Sequence, residues 1–116
     1  MESIIEQKSF DFSVRIVKLY KYLNVQKRES VISKQLLRSG TSIGANVSEA
    51  EQAQSRADFI SKLSIALKEA KETKYWLRLL SSTGYLNEKQ SDSILKDCTE
   101  LEKILVSIIK TAKRNK

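Results

Sequence analysis

Gln35-Leu36-Leu37-Arg38-Ser39-Gly40-Thr41-Ser42-Ile43-Gly44-Ala45-Asn46-Val47-Ser48-Glu49-Ala50 divides into two faces when wound at helical periodicity. Leu36, Ile43, Val47 and Ala50 recur at seven, four and three residues and share one side. Arg38, Ser42, Asn46 and Glu49 recur at four, four and three and form a polar stripe beside it. Gly40 and Gly44 lie between, as a small-x-x-x-small pair. A glycine in a helix interior costs about 1 kcal/mol relative to alanine. A helix that keeps a pair of them is expected to let another backbone come close. The apolar spacing holds its phase through both glycines, so one continuous helix is expected from about Lys27 or Ser30 to Ala53.

The flanking sequence supplies three more helices. Upstream, Phe12, Ile16, Leu19, Tyr20 and Leu23 line one face of a helix over about Ser9 to Leu23, and Phe10, Val14 and Val17 widen that face. Asn24 tolerates the left-handed conformation and is the expected stop. Downstream, Ser55-Arg56-Ala57-Asp58 has the form of a capping box and opens a third helix over about 55–82. Phe59, Leu63, Ala66, Ala70, Thr73, Leu77 and Leu80 are its apolar side. Gly84 stands where a helix C-terminal glycine belongs. Asn87 with Gln90 caps a fourth helix over about 87–113, whose seam is Ile94, Cys98, Leu101, Leu105, Ile108 and Ala112. No strand pattern intrudes. The expected fold is all-α: a single domain over 1–116 forming an antiparallel up-down-up-down four-helix bundle.

Composition narrows the function. Proline and histidine are absent, 30% of residues are charged, and the net charge is +7. A balance this basic favours polyanions such as nucleic acid or an acidic surface. One cysteine, Cys98, cannot form an internal disulfide, which fits a reducing cytoplasm. No apolar run approaches the roughly 20 residues of a membrane span, and no signal peptide is visible, so no membrane role is expected. Without histidine the common acid–base arrangements and the Glu-x-x-His di-iron pattern are missing. No phosphate-binding glycine loop is present. A non-enzyme without cofactor or metal is expected. A metal-dependent enzyme using Glu49, Glu69 and Glu72 is the remote alternative.

Several side chains carry the candidate sites. The stripe Arg38, Ser42, Asn46 and Glu49 reads most simply as a solvated helix face. Ser42 and Asn46 are poor helix formers, however, and the stripe adjoins the glycines, which suits a hydrogen-bonded network at an interface. Glu69 or Glu72 of the third helix is expected to pair with a basic side chain, Arg38 being one candidate, with Trp76 as a core or interface anchor. Cys98, on the seam, reads as a buried small hydrophobe. The positive excess is largest around Arg15, Lys18, Lys21, Lys27 and Arg28. A second basic cluster is Lys110, Lys113, Arg114 and Lys116. A charge run is ordinarily a solvated face, but both clusters repeated by self-association would meet phosphates multivalently.

The run Gln35 to Glu49, the segment Ile65-Ala66-Leu67-Lys68-Glu69-Ala70-Lys71-Glu72-Thr73-Lys74-Tyr75-Trp76-Leu77 and the turn Gly84-Tyr85-Leu86 resemble the bacterial four-helix-bundle family named for 23S rRNA intervening sequences. The pattern Arg-Ser-x-x-Ser-Ile-x-x-Asn-x-x-Glu is matched by Arg38, Ser39, Ser42, Ile43, Asn46 and Glu49. Ala50 stands where the family often has glycine. The chain also looks like the accessory variability protein of diversity-generating retroelements, a basic pentameric bundle. The resemblance implies an antiparallel bundle that assembles into a ring of five and meets nucleic acid. The expected function is a non-enzymatic homo-oligomer, a pentamer by that resemblance, that binds structured nucleic acid, RNA foremost, through phosphates. The rival is a structural or protein-partner module whose charge only aids solubility.

Overall fold

The computed structural model describes residues 3–115. Four helices follow one another: α1 (Ile4–Val25), α2 (Ile32–Ala50), α3 (Arg56–Ser82) and α4 (Glu88–Arg114). Each packs on its neighbours in sequence, α1 and α4 close the ring, and α1 lies diagonal to α3. Residues near the start of one helix meet residues near the end of the next, so every neighbouring pair is antiparallel. The result is a four-helix bundle 48 Å long and about 20 Å thick.

Capping chemistry sets the helix ends. α1 begins at Ile4, ahead of the expected Ser9, because Ser3 and Glu6 form a reciprocal capping box. That Ser-x-x-Glu spacing is a helix-start signal in its own right, and it outranks the apolar pattern that begins further on. Asn24 does not stop the helix. It stays helical and its amide donates to the Tyr20 carbonyl and the Ser33 hydroxyl. The left-handed residue is Arg28, at φ 54°. α2 therefore starts at Ile32 and ends at Ala50, shorter than the expected 27–53. Ser55 caps α3 through the Asp58 N–H. Gly84, at φ 86°, turns the chain so that the Tyr85 N–H returns to the Leu80 carbonyl. Asn87 and Gln90 cap α4 reciprocally.

The core runs along the axis through Phe12, Ile16, Leu36, Ile43, Leu63, Leu77, Leu101 and Leu105, among others. Two expected faces shift. On α1, Phe10, Val14 and Val17 do not widen the core and stand 63%, 40% and 37% exposed. On α4 the seam turns to Ile109 in place of Ile108, since the step after Leu105 is four residues. Ile108 is only partly buried.

Candidate nucleic-acid interface

The α2 polar stripe does not form one network. It resolves into separate local pairs. Arg38 Nη1 reaches Glu69 Oε2 at 3.1 Å, and its other terminal nitrogen bonds Glu72. The Trp76 indole N–H donates to the same Glu72 oxygen at 3.0 Å. That indole bond, followed by the Arg38 guanidinium, holds the Glu72 carboxyl below its ordinary pKa although burial opposes it. Asn46 turns back on its own helix, donating to the Ser42 carbonyl and hydroxyl at 2.9 and 3.1 Å. Glu49 is exposed and pairs with Lys62 at 3.3 Å. Glu49 thus stands apart from Glu69 and Glu72, and among the described residues no carboxylate or thiol cluster could hold a metal ion. The Arg38 side chain is 51% exposed in the single chain. Below it lies a fully buried pair that periodicity does not announce: the Ser39 and Thr73 hydroxyls, 2.9 Å apart. Thr73 does face the core as its spacing requires, but it does so as a hydrogen-bonding group.

The glycines serve the chain itself. A Cβ on Gly40 would lie 2.8 Å from two carbons of Ile16. One on Gly44 would lie 3.1 Å from the Ser13 hydroxyl and 3.2 Å from the Ser9 carbonyl oxygen. The missing side chains let α1 settle onto α2, so the close approach they permit is used within the chain. Trp76 is partly buried against the core of its own chain. Cys98 is fully buried, and burial, with Glu102 nearby, pushes its thiol pKa up to about 12, where it stays protonated and inert.

The first basic cluster divides. Arg15 is tied to α4 through Asp97 at 2.6 Å and the Ser93 hydroxyl at 3.1 Å. Lys8 is tied likewise to Glu100. Lys18, Lys21, Lys27 and Arg28 are exposed and enter no ion pair among the described residues. The only acid between Lys18 and Lys34 is Glu29, and it is turned inward. Glu29 is 7% exposed and accepts from the N–H groups of Val31, Ile32 and Ser33 at 3.1, 2.9 and 2.7 Å. It caps α2, whose own N-cap, Val31, has no side chain for the task. Burial raises its pKa, but the three backbone donors outweigh that and leave it below the ordinary carboxylate value. The offsets are those of an ordinary N-cap, but glutamate is not among the residues that usually fill one, so the sequence does not mark Glu29.

Lys110, Lys113 and Arg114 are exposed on the last turns of α4. Lys116 lies outside the described residues. Antiparallel packing puts this cluster beside the start of α1, at the opposite end of the long axis from Lys18 to Arg28. The two clusters are therefore separate surfaces of one chain.

A family model described as 23S rRNA-intervening sequence protein matches residues 1–107. The chain belongs to this family. A solved structure described as a protein of unknown function from the S23 ribosomal protein family of Bacteroides thetaiotaomicron VPI-5482 is 63% identical. It covers 92% of this chain and 99% of its own, with a TM-score of 0.92. No curated protein matches. For this family member, the described residues contain no helix long and apolar enough to cross a membrane.

Proposed function

We propose that this protein is a non-enzymatic, cytoplasmic, homo-oligomeric bundle that binds structured nucleic acid, RNA foremost, through its phosphates. One observation carries the reading. The stretch from Lys18 to Lys34 displays Lys18, Lys21, Lys27 and Arg28 while the one acid within it, Glu29, is buried and directs its charge at the backbone N–H groups that open α2. A basic stretch whose one acid is turned inward suits a phosphate backbone, and it offers no groove-reading motif. Self-association is supported by the exposed apolar line Phe10, Val14 and Val17, which the core leaves uncovered. The same line favours the second reading, a module for a different protein partner. The number five comes from the family resemblance alone. The family description, which names 23S rRNA, makes RNA the first nucleic acid to test.

The test is binding of RNA duplex and hairpin across a salt series, with the mass in solution measured alongside. Affinity should fall steeply with salt and vary little with base sequence. Replacing Lys18, Lys21 and Arg28 together by Gln should lower the log–log salt slope by about 0.7–0.9 for each phosphate no longer neutralised, with the mass unchanged. Salt-independent binding, or none at low salt, would transfer the weight to the protein-partner reading. A monomer by light scattering at micromolar concentration would remove the oligomer.

A further inference from the structure

The outward side of α3 presents Lys68, Lys71, Tyr75 and Arg78, spaced three, four and three residues apart so that they stack in one line. All four are exposed. Tyr75 is 57% exposed and is the one aromatic on this line. The acids of the same stretch, Glu69 and Glu72, are turned to the α2 side, where both pair with Arg38. Lys71 sits 3.7 Å from Glu102 of α4 and still keeps 65% of its side chain exposed. Lys68 and Arg78 have no ion-pair partner among the described residues.

Tyr75 is backed by a rigid neighbour. Its ring meets that of Trp76 edge-on, with centroids 5.0 Å apart and planes at 76°. Trp76 is held in turn by its indole bond to Glu72, and Glu72 by Arg38. The α2 polar stripe thus fixes the orientation of a surface aromatic. Along the helix axis the Lys71 Cα lies about 6 Å to one side of the Tyr75 Cα and the Arg78 Cα about 4.5 Å to the other, from the helical rise.

We infer that Lys68, Lys71, Tyr75 and Arg78 form a stacking platform for single-stranded nucleic acid. An unpaired base lies on the Tyr75 ring, and the phosphates on either side of it meet Lys71 and Arg78. Duplex bases are stacked on one another and cannot reach a ring on a convex helix face, so the occupant is an unpaired strand. The charge of the line, all positive, matches a polyanion. This surface is distinct from Lys18 to Arg28, because α1 and α3 are diagonal in the bundle and their outer faces look in opposite directions. The inference rests on the nucleic-acid reading above and adds the strandedness that phosphate contacts alone do not select.

The test is fluorescence anisotropy with a labelled 12-mer as single-stranded RNA, as single-stranded DNA and as an RNA duplex, using the full chain. Tyr75→Ala should weaken single-strand binding about ten-fold and leave the duplex unchanged, since one base–aromatic stack is worth roughly that much. Tyr75→Phe should bind as the unaltered protein does. Weakening on RNA alone or on both strands supports the platform and says which source it takes. Tyr75→Ala binding single strands at full strength overturns the platform while duplex binding by the unaltered protein keeps the broader reading. No binding of any probe overturns both. A change of mass in solution on Tyr75→Ala also overturns the platform, because the ring would then serve a contact between copies of the chain.

Discussion

The α1–α2 seam and the other three seams of the bundle are built on different physics. Between α1 and α2 the helices touch through absence: Gly40 admits Ile16, and Gly44 admits the Ser9 backbone. Among the described residues no ion pair crosses that seam. The others carry charge across their rims. Arg38 joins Glu69 and Glu72 from α2 to α3, Lys74 meets Glu102 at 2.5 Å from α3 to α4, and Arg15 meets Asp97 from α4 to α1. Close packing is intolerant of volume and indifferent to salt, whereas rim ion pairs tolerate substitution and weaken with salt. The α1–α2 seam is thus the part most sensitive to added volume, and the charged rims are the part most sensitive to salt.

The strongest way to break this contrast is Gly40→Leu. The new side chain must displace Ile16 from a site where even a Cβ is too close, and the bundle should be destabilised by about 3 kcal/mol. Urea denaturation should show this effect equally in low and high salt. A neutral outcome would mean that the seam opens easily and that its closeness is not what holds it.

Glu29→Ala should come next, at about 2 kcal/mol, because three N–H groups at the start of α2, that of Ser33 buried, lose their acceptor. Its pH dependence is specific. The folded-state pKa lies below the unfolded value of 4.5, so the carboxylate's contribution is complete above 4.5 and is lost as the pH falls through the folded value. Acid denaturation of Glu29→Ala should accordingly be shallower in that range than that of the unaltered protein. Identical acid limbs would count against the cap.

Arg38→Ala should cost about 1 kcal/mol or less in the isolated chain, since the guanidinium is half exposed and screened. Melting at increasing protein concentration sharpens this prediction. A penalty that grows toward about 3 kcal/mol as the protein associates would place Arg38 under a second subunit. The smallest effect should belong to Arg15→Gln, about 0.5 kcal/mol at low salt and nothing measurable in 1 M salt. An effect that survives high salt would make the α4–α1 rim more than a screened surface pair.

Much of the fold is legible because periodicity and caps are local. Leu36, Ile43 and Val47 must share a side of any helix they form, and each is fully buried. Gly84 and the Asn87–Gln90 box announce the α3–α4 turn, and both act as local chemistry requires. The true start of α1 is equally local, since Ser3 and Glu6 hold a cap spacing. Glu29 bonds N–H groups only two to four residues on, but glutamate is not a usual N-cap residue, and the turn before it passes through a left-handed Arg28 that nothing local to an arginine announces.

The sequence by itself determined that four amphipathic helices exist, that Leu36, Ile43, Val47 and the other residues at the centre of each apolar face turn inward, and that the whole carries a positive charge. Partner choice belonged to the tertiary structure. Glycines that promised a close neighbour did not say whether it would be α1 or another chain. Arg38 had acids on several sides to choose from and took the ones that α3 brought alongside. Phe10, Val14 and Val17 looked like core and were left in solvent, because a helix can turn only one arc toward a bundle axis. A side chain's face follows from its spacing along the chain, but what it meets there depends on another element's position, and only packing supplies that.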